Sequence, residues 1–96
     1  MSITTPIRYH KKKEDLPMKQ IYAENYRQIG LKIAYYRKLR GLTQEELAEQ
    51  TGLTPAFIGH LEAPNIQKAL SLDSLFDIAS VLQVAPYKFL TFDDVQ

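Results

Sequence analysis

The sequence predicts an all-α fold, a compact bundle of five short helices, and three observations support this prediction. Apolar residues recur at intervals of three and four within separate segments between residues 24 and 90, as they do on the buried face of a helix. Capping residues and glycines stand between these segments, where helices begin and end. No segment alternates between apolar and polar residues in the way a half-buried strand does.

Length and composition restrict the class of protein. A chain of 96 residues suffices for one small domain, and its 45% hydrophobic and 24% charged residues are typical of a globular protein. No apolar run approaches the roughly 18 to 20 residues that cross a bilayer, and the charged N-terminus does not resemble a signal peptide. The absence of cysteine fits a reducing compartment, so we expect a cytoplasmic protein without contact to a membrane.

Charge is divided unevenly along the chain. Residues 1–40 hold ten basic residues against three acidic ones, a net charge of +7, whereas residues 41–96 carry −6. Such asymmetry suggests a basic face or arm that meets a polyanion, but a solvated tail beside an acidic domain explains it equally well.

The N-terminal part is expected to form an arm and the remainder a domain. Residues 1–20 show no helical period and contain a basic cluster, RYHKKK, so we interpret them as a flexible basic arm, with the domain at residues 21–96. Helix one begins near Glu24, buries Ile29, Ile33 and Tyr36, and stops at Gly41 after the basic turn RKLR.

The next two helices are defined by their caps. Thr43 and Glu46 form a T-x-x-E capping box at the start of helix two, which ends at Gly52. Thr54 caps helix three, and Pro55 takes its first position. A connection of only three residues, including a glycine, is typical of a helix-turn-helix.

The last two predicted helices close the bundle. Ser71 caps helix four, whose expected buried face is Leu72, Leu75, Phe76, Ile78, Ala79 and Leu82. A short fifth helix is predicted at Pro86–Leu90, with Tyr87, Phe89 and Leu90 completing the core.

Two stretches resemble a known family. IGLKIAYYRKLRGLTQEELAEQTGLTPAFIGHLE resembles the Cro/phage-repressor (XRE) family of bacterial helix-turn-helix regulators, and SLDSLFDIASVLQVAPYKFL is similar to its closing helices. The resemblance covers about residues 27–92, and RGLTQEELAEQTGLT is its most specific part. It implies a transcriptional regulator that binds double-stranded DNA, commonly as a homodimer, with helix three (Pro55–Leu61) in the major groove.

The resemblance also indicates phosphate ligands. Gln44 matches the family glutamine that opens helix two and donates to a phosphate, and free amides at a helix start favour an anion there. Thr43 completes this pair, and Arg40 and Lys68 are further candidates. The alternative interpretation of Gln44 is an exposed helix former.

Helix three departs from the family pattern at the positions that commonly read bases. Pro55, Ala56, Gly59 and His60 match those positions, and with Thr54 they are the candidate groove residues. Only Thr54 and His60 can form side-chain hydrogen bonds, so the small apolar groups are expected to contact thymine methyl groups. Gly59 either permits close approach to DNA or lies under a neighbouring helix. Phosphate contacts and DNA shape then take a larger share of recognition, and the RYHKKK arm either adds contacts or is only a tail.

A structural ion pair is expected behind this helix. Arg37 matches a family arginine that pairs with the glutamate closing helix three, here Glu62, because an unpaired buried charge is costly. The alternative is that both are surface charges.

An apolar stripe on helix one has no counterpart in the family. Leu31, Tyr35 and Leu39 follow at four-residue spacing on the face opposite the core. Either the segment around Ile21 and Tyr22 or a second copy of the chain covers it. Dimerisation through helix five and the LTFDDVQ tail is a third possibility.

Two functions from different classes fit these patterns. The first is a DNA-binding regulator, and the second is a protein-interaction module, such as an antitoxin-like subunit, that keeps the scaffold and has lost DNA reading. We expect no enzyme, because the sequence shows no catalytic triad, paired carboxylates or phosphate-binding glycine loop. His10 and His60 are far apart and there is no cysteine, so neither a metal site nor a cofactor is expected.

Overall fold

The computed structural model describes Glu14 and residues 17–92. Within this part of the chain the order of elements is a 3-10 helix at Gln20–Tyr22, α1 (Ala23–Leu39), α2 (Gln44–Thr51), α3 (Pro55–Glu62), α4 (Leu72–Leu82) and a 3-10 helix at Pro86–Phe89. The RYHKKK cluster and residues 93–96 of the tail lie outside the described residues. No helix in residues 17–92 combines the length and apolar composition that a membrane span requires.

One core holds the four α-helices together. Helix α1 packs mainly on α3, and α2 lies against both α3 and α4. Each of these helices contributes fully buried apolar side chains, among them Ile33, Leu47, Ile58 and Ile78. The core therefore reaches every α-helix, and α3 is fixed on two sides by α1 and α2.

The predicted caps of α2 and α3 are present. Thr43 Oγ1 accepts a hydrogen bond from the amide of Glu46, whose carboxylate accepts one from the amide of Thr43. Thr54 Oγ1 accepts from the amide of Phe57, and Pro55 occupies the first turn of α3. Gly52 has a φ of 76°, a left-handed conformation that ends α2 at little cost for glycine.

The prediction of a fifth α-helix is wrong. Residues Pro86–Phe89 form a 3-10 helix of four residues, with bonds from Lys88 N to Ala85 O and from Leu90 N to Tyr87 O. A segment this short, limited by Pro86 at its start, closes i to i+3 bonds and completes no α-helical turn. Phe89 is fully buried and stacks edge-on against Tyr36 at 5.5 Å, whereas Tyr87 and Leu90 are exposed, contrary to expectation.

The buried face of α4 is narrower than predicted. Leu75, Ile78, Ala79 and Leu82 are buried, but Leu72 and Phe76 are exposed. Ser71 caps the helix as expected, and its Oγ accepts from the amide of Ser74. The apolar residues of this segment therefore spread over a wider part of the helix surface than the part that is buried.

The stripe on α1 is exposed. Leu31 is 40%, Tyr35 60% and Leu39 59% accessible to solvent. Ile21 and Tyr22 are also exposed, so the segment before α1 does not fold back over this stripe. This result removes one of the two explanations that the sequence had left open for it.

Candidate nucleic-acid interface

The outer face of α3 carries the candidate groove residues. Thr54, Pro55, Ala56 and His60 are exposed, whereas Phe57, Ile58 and Leu61 on the opposite face are buried in the core. The small size of Pro55 and Ala56 leaves a smooth apolar surface around the start of the helix. The structure thus brings four of the five candidate groove residues together on one accessible surface.

The fifth, Gly59, lies beside Gln44. A Cβ built at Gly59 would stand 3.5 Å from Oε1 of Gln44, an ordinary contact, so the glycine is not required for close packing against another helix. Gly59 thus lies in the middle of α3, opposite the first residue of α2. The glycine that close packing does require is Gly30 of α1, where a Cβ would overlap the carbonyl oxygen of Leu61. Gly30 was not among the candidates, although a glycine inside a periodic helix, which costs about 1 kcal/mol, was a signal for it.

Arg37 and Glu62 form a buried bidentate ion pair. Arg37 Nε donates to Oε2 of Glu62 at 2.7 Å and Nη2 donates to Oε1 at 2.8 Å, while Nη1 donates to the carbonyl of Leu42 at 2.7 Å. The two residues are only 8% and 9% exposed. The hydrogen bonds that Arg37 donates to the Glu62 carboxylate raise the pKa of Arg37, so the guanidinium is charged throughout the pH range in which proteins fold.

Gln44 is joined to this ion pair. Its Nε2 donates to Oε1 of Glu62 at 2.9 Å, and the side chain is partly buried. The amide nitrogen carries two hydrogens, of which this bond uses one. Glu62 therefore orients the glutamine side chain at the start of α2 and ties it to the end of α3.

The amides at the start of α2 suit an anion. The capping box uses the amides of Thr43 and Glu46, and helix geometry leaves those of Gln44 and Glu45 without carbonyl partners. Thr43 is exposed beside them. The chemistry of this helix end is that of a phosphate site, although the carboxylate of Glu45 in the same turn opposes it.

Arg40 is engaged with main-chain carbonyl groups at the end of α4. Its Nε donates to the carbonyl of Leu82 at 2.6 Å and its Nη2 to that of Gln83 at 3.2 Å. The positive guanidinium neutralises the C-terminal end of α4, where Gln83 takes the left-handed conformation. Arg40 was a candidate phosphate ligand, but free carbonyl groups at a helix end attract the same cation.

Lys68 lies next to α3. Its Nζ stands 5.7 Å from the ring centroid of Phe57, in the loop that connects α3 to α4. The loop between α3 and α4 therefore holds the ammonium group close to the first turn of α3.

A carboxylate from the N-terminal segment, that of Glu14, stands at the start of α3. Glu14 Oε2 accepts from the amide of Thr54 at 3.0 Å, and Oε1 accepts from the Thr54 hydroxyl at 3.1 Å. The two residues are forty positions apart. Nothing in the local sequence around either residue indicated this contact, so sequence reasoning missed it.

Comparison with known proteins agrees with this geometry. The control protein C.SmaI of Serratia marcescens is 34% identical over 76 residues, covering 79% of this chain and 80% of that protein. The transcriptional regulator SinR of Bacillus licheniformis is 33% identical over 66 residues, which cover 69% of this chain and 59% of SinR. The chain thus spans little more than half the length of SinR.

Solved structures share the fold. The controller protein C.AhdI of Aeromonas hydrophila superimposes with a TM-score of 0.63 at 27% identity, over 69% of this chain and 97% of its own. SinR solved in complex with DNA gives 0.61 at 33% identity, over 66% of this chain and 98% of its own. The model of the family HTH_3, described as helix-turn-helix, matches residues 33–89, more than half of the sequence. The chain therefore belongs to the Cro/phage-repressor (XRE) family of helix-turn-helix proteins.

Proposed function

We propose that this chain binds double-stranded DNA with a sequence preference, as a small bacterial transcriptional regulator, and that α3 enters the major groove. The observation that carries the proposal is the exposed face of α3, formed by Thr54, Pro55, Ala56 and His60, on a helix whose other face is buried. The relatives support it, since SinR is named a transcriptional regulator and has been solved with DNA. In this proposal residues 21–96 form the DNA-binding unit and residues 1–20 an arm.

Phosphate contacts fix the position of α3 in the groove. The amides of Gln44 and Glu45 and the second hydrogen of the Gln44 side-chain amide hold one phosphate beside Thr43. Lys68 provides a cation near the first turn of α3. Because Arg37 and Glu62 tie Gln44 to the end of α3, the phosphate ligand and the reading helix keep a fixed separation.

Bases are distinguished mainly by shape and by apolar contact. Pro55, Ala56 and the methyl group of Thr54 fit against thymine methyl groups, which only the major groove displays. His60 donates to a guanine acceptor or a phosphate. With so few hydrogen-bonding groups, the preference among sequences is modest and non-contacted base pairs contribute through their deformability.

Selection from random duplex DNA tests this function. We expect a short consensus that contains thymine at the base pairs contacted by the start of α3. Binding to the selected duplex should weaken with salt at a log–log slope of about −0.9 for each phosphate contact. Ala56→Glu should abolish binding, because a carboxylate would enter the groove beside the phosphates, while the exposed control Ser80→Glu should retain it. Recovery of no consensus, or binding indifferent to salt, would contradict the proposal.

The exposed stripe on α1 favours a second candidate, a protein-interaction role. Leu31, Tyr35 and Leu39 are exposed in the part of the chain that the structure describes, and such stripes commonly mark a partner. A second copy, giving a homodimer, is one occupant; another protein is the alternative, as SinR has been solved with the SinI protein. Sedimentation of the purified wild-type and Tyr35→Glu chains distinguishes these two occupants. If the stripe forms a homodimer, the wild type sediments as a dimer and Tyr35→Glu as a monomer. If the stripe binds another protein, both chains sediment as monomers.

The proposed location follows from the proposed ligand. Bacterial DNA lies in the cytoplasm, and a sequence without cysteine suits that reducing compartment. No cofactor is needed for the binding described.

A further inference from the structure

The carboxylate of Glu14 is bound at the N-terminal end of the helix proposed to read DNA. It forms two hydrogen bonds with Thr54, one from the amide at 3.0 Å and one from the hydroxyl at 3.1 Å. Thr54 is the N-cap of α3, and its hydroxyl also accepts from the amide of Phe57. Glu14 is thus held by both donors that Thr54 can present to a ligand.

A second contact connects the same N-terminal segment to the loop that follows α3. Gln20 Nε2 donates to Oε1 of Gln67 at 2.8 Å, and Gln67 lies in the loop that follows α3. Two side chains of the N-terminal segment, Glu14 and Gln20, thus contact the start of α3 and the loop that follows it.

A carboxylate at a helix start resembles a DNA phosphate in its chemistry. Both are anions with two accepting oxygens, and both are stabilised by the amides and the partial positive charge of a helix N-terminus. The Thr54 hydroxyl has one hydrogen, which here is donated to Glu14, so the same hydrogen is not available to a phosphate or a base. A second anion at this position would also be repelled by the first.

We infer that Glu14 is an internal competitor for DNA: its carboxylate occupies the start of α3, and a duplex binds only when that carboxylate leaves Thr54. This inference rests on the proposed function. It assigns Glu14 a regulatory role, since any change that removes its charge or draws the N-terminal segment away increases affinity for DNA. Residues 1–40 contain three acidic residues. One of them, Glu24, forms an ion pair with Arg27 and not with the start of α3.

Glu14→Ala and Glu14→Gln in the full chain test the competition. Glu49→Gln is the matched control, because Glu49 is an exposed acid of α2 and the substitution removes the same charge. Binding to the selected duplex should tighten about three- to tenfold for Glu14→Ala, as expected for loss of a charge-assisted contact at a helix end. Glu14→Gln should give a smaller gain, since its amide oxygen still accepts a hydrogen bond, and the control should change less than about twofold.

A measurement without DNA separates this inference from the proposed function. In a ¹H–¹⁵N spectrum, the Thr54 amide resonance should move in Glu14→Ala and stay in Glu49→Gln. A stationary Thr54 resonance overturns the contact. A resonance that moves while affinity for DNA stays equal to the control, or falls, overturns the competition. If the Thr54 resonance moves but neither wild type nor variant binds any duplex, the proposed function fails although the contact stands, and the competition fails with it.

Discussion

Arg37 of α1 and Glu62 of α3 face each other in a bidentate ion pair that is almost wholly buried, at 2.7 Å from Nε to Oε2. Gln44 of α2 shares Oε1 of the same carboxylate, so one acidic group joins three helices. We expect Glu62→Ala to lower the free energy of unfolding by about 3–5 kcal/mol, because it leaves the Arg37 guanidinium buried without a counter-charge. Urea denaturation checks this value. A loss below about 1 kcal/mol would show that the pair does not stabilise the fold.

Gly30→Ala should be severely destabilising. The added methyl group would overlap the carbonyl oxygen of Leu61, and backbone on both sides prevents an easy shift. We expect a loss of about 3 kcal/mol or more in the free energy of unfolding, at the upper end of overpacking penalties. Thermal denaturation followed by circular dichroism measures it. A variant as stable as wild type would mean that α1 and α3 can move apart at no cost.

Gly59→Ala should have the opposite effect on stability. Its methyl group has room beside Gln44, and alanine favours a helix over glycine by about 1 kcal/mol, so we expect a gain of about 0.5–1 kcal/mol. Affinity for the selected duplex should fall, because the methyl group adds bulk on the side of α3 that is proposed to face the groove. Unchanged affinity in a more stable variant would place Gly59 outside the DNA contact.

Thymine methyl groups should contribute to affinity. Replacing single thymines of the selected duplex by deoxyuridine removes only the methyl group that Pro55, Ala56 and Thr54 are proposed to contact. Each sensitive position should lose about 0.8 kcal/mol, roughly a fourfold weakening. Fluorescence anisotropy with duplexes substituted one position at a time locates those thymines. If every substituted duplex bound with the affinity of the selected duplex, Pro55, Ala56 and Thr54 would make no contact with thymine methyl groups.

Lys68→Ala and Arg40→Ala should separate a phosphate ligand from a structural cation. Loss of Lys68 should make the log–log salt slope of DNA binding shallower by about 0.9. Loss of Arg40 should leave the slope unchanged and lower stability by about 1 kcal/mol, because the carbonyls of Leu82 and Gln83 lose their donor. The reverse pattern, with the slope sensitive to Arg40 alone, would restore Arg40 as the phosphate ligand and exclude Lys68.

Local chemistry made some parts of this structure predictable from sequence. The caps at Thr43 and Thr54 and the left-handed Gly52 depend on residues within a few positions of one another, so α2, the turn and α3 are encoded over short distances. The arrangement at Pro86–Phe89 depends on how Phe89 packs against Tyr36, and periodicity alone does not distinguish a 3-10 helix from an α-helix there.

Contacts between distant residues were predictable only in part. The family pattern indicated Arg37 and Glu62, which lie 25 positions apart, because both residues belong to its motif. The destination of Arg40 required knowing where α4 ends, and the contact of Glu14 with Thr54 joins residues 40 positions apart without any shared motif. The sequence shows that Arg40 and Glu14 are charged, but it does not show which residues they contact.

The close approach of Gly30 to the backbone of Leu61 has a consequence for engineering. The main chain of α1 at Gly30 packs directly against the main chain of α3 at Leu61. The position of α3 is therefore set by its buried side, and not by the exposed side chains of Pro55, Ala56 and His60. Libraries that vary these three positions should therefore yield folded proteins with altered operator preference, and the scaffold offers a compact starting point for reprogrammed genetic switches.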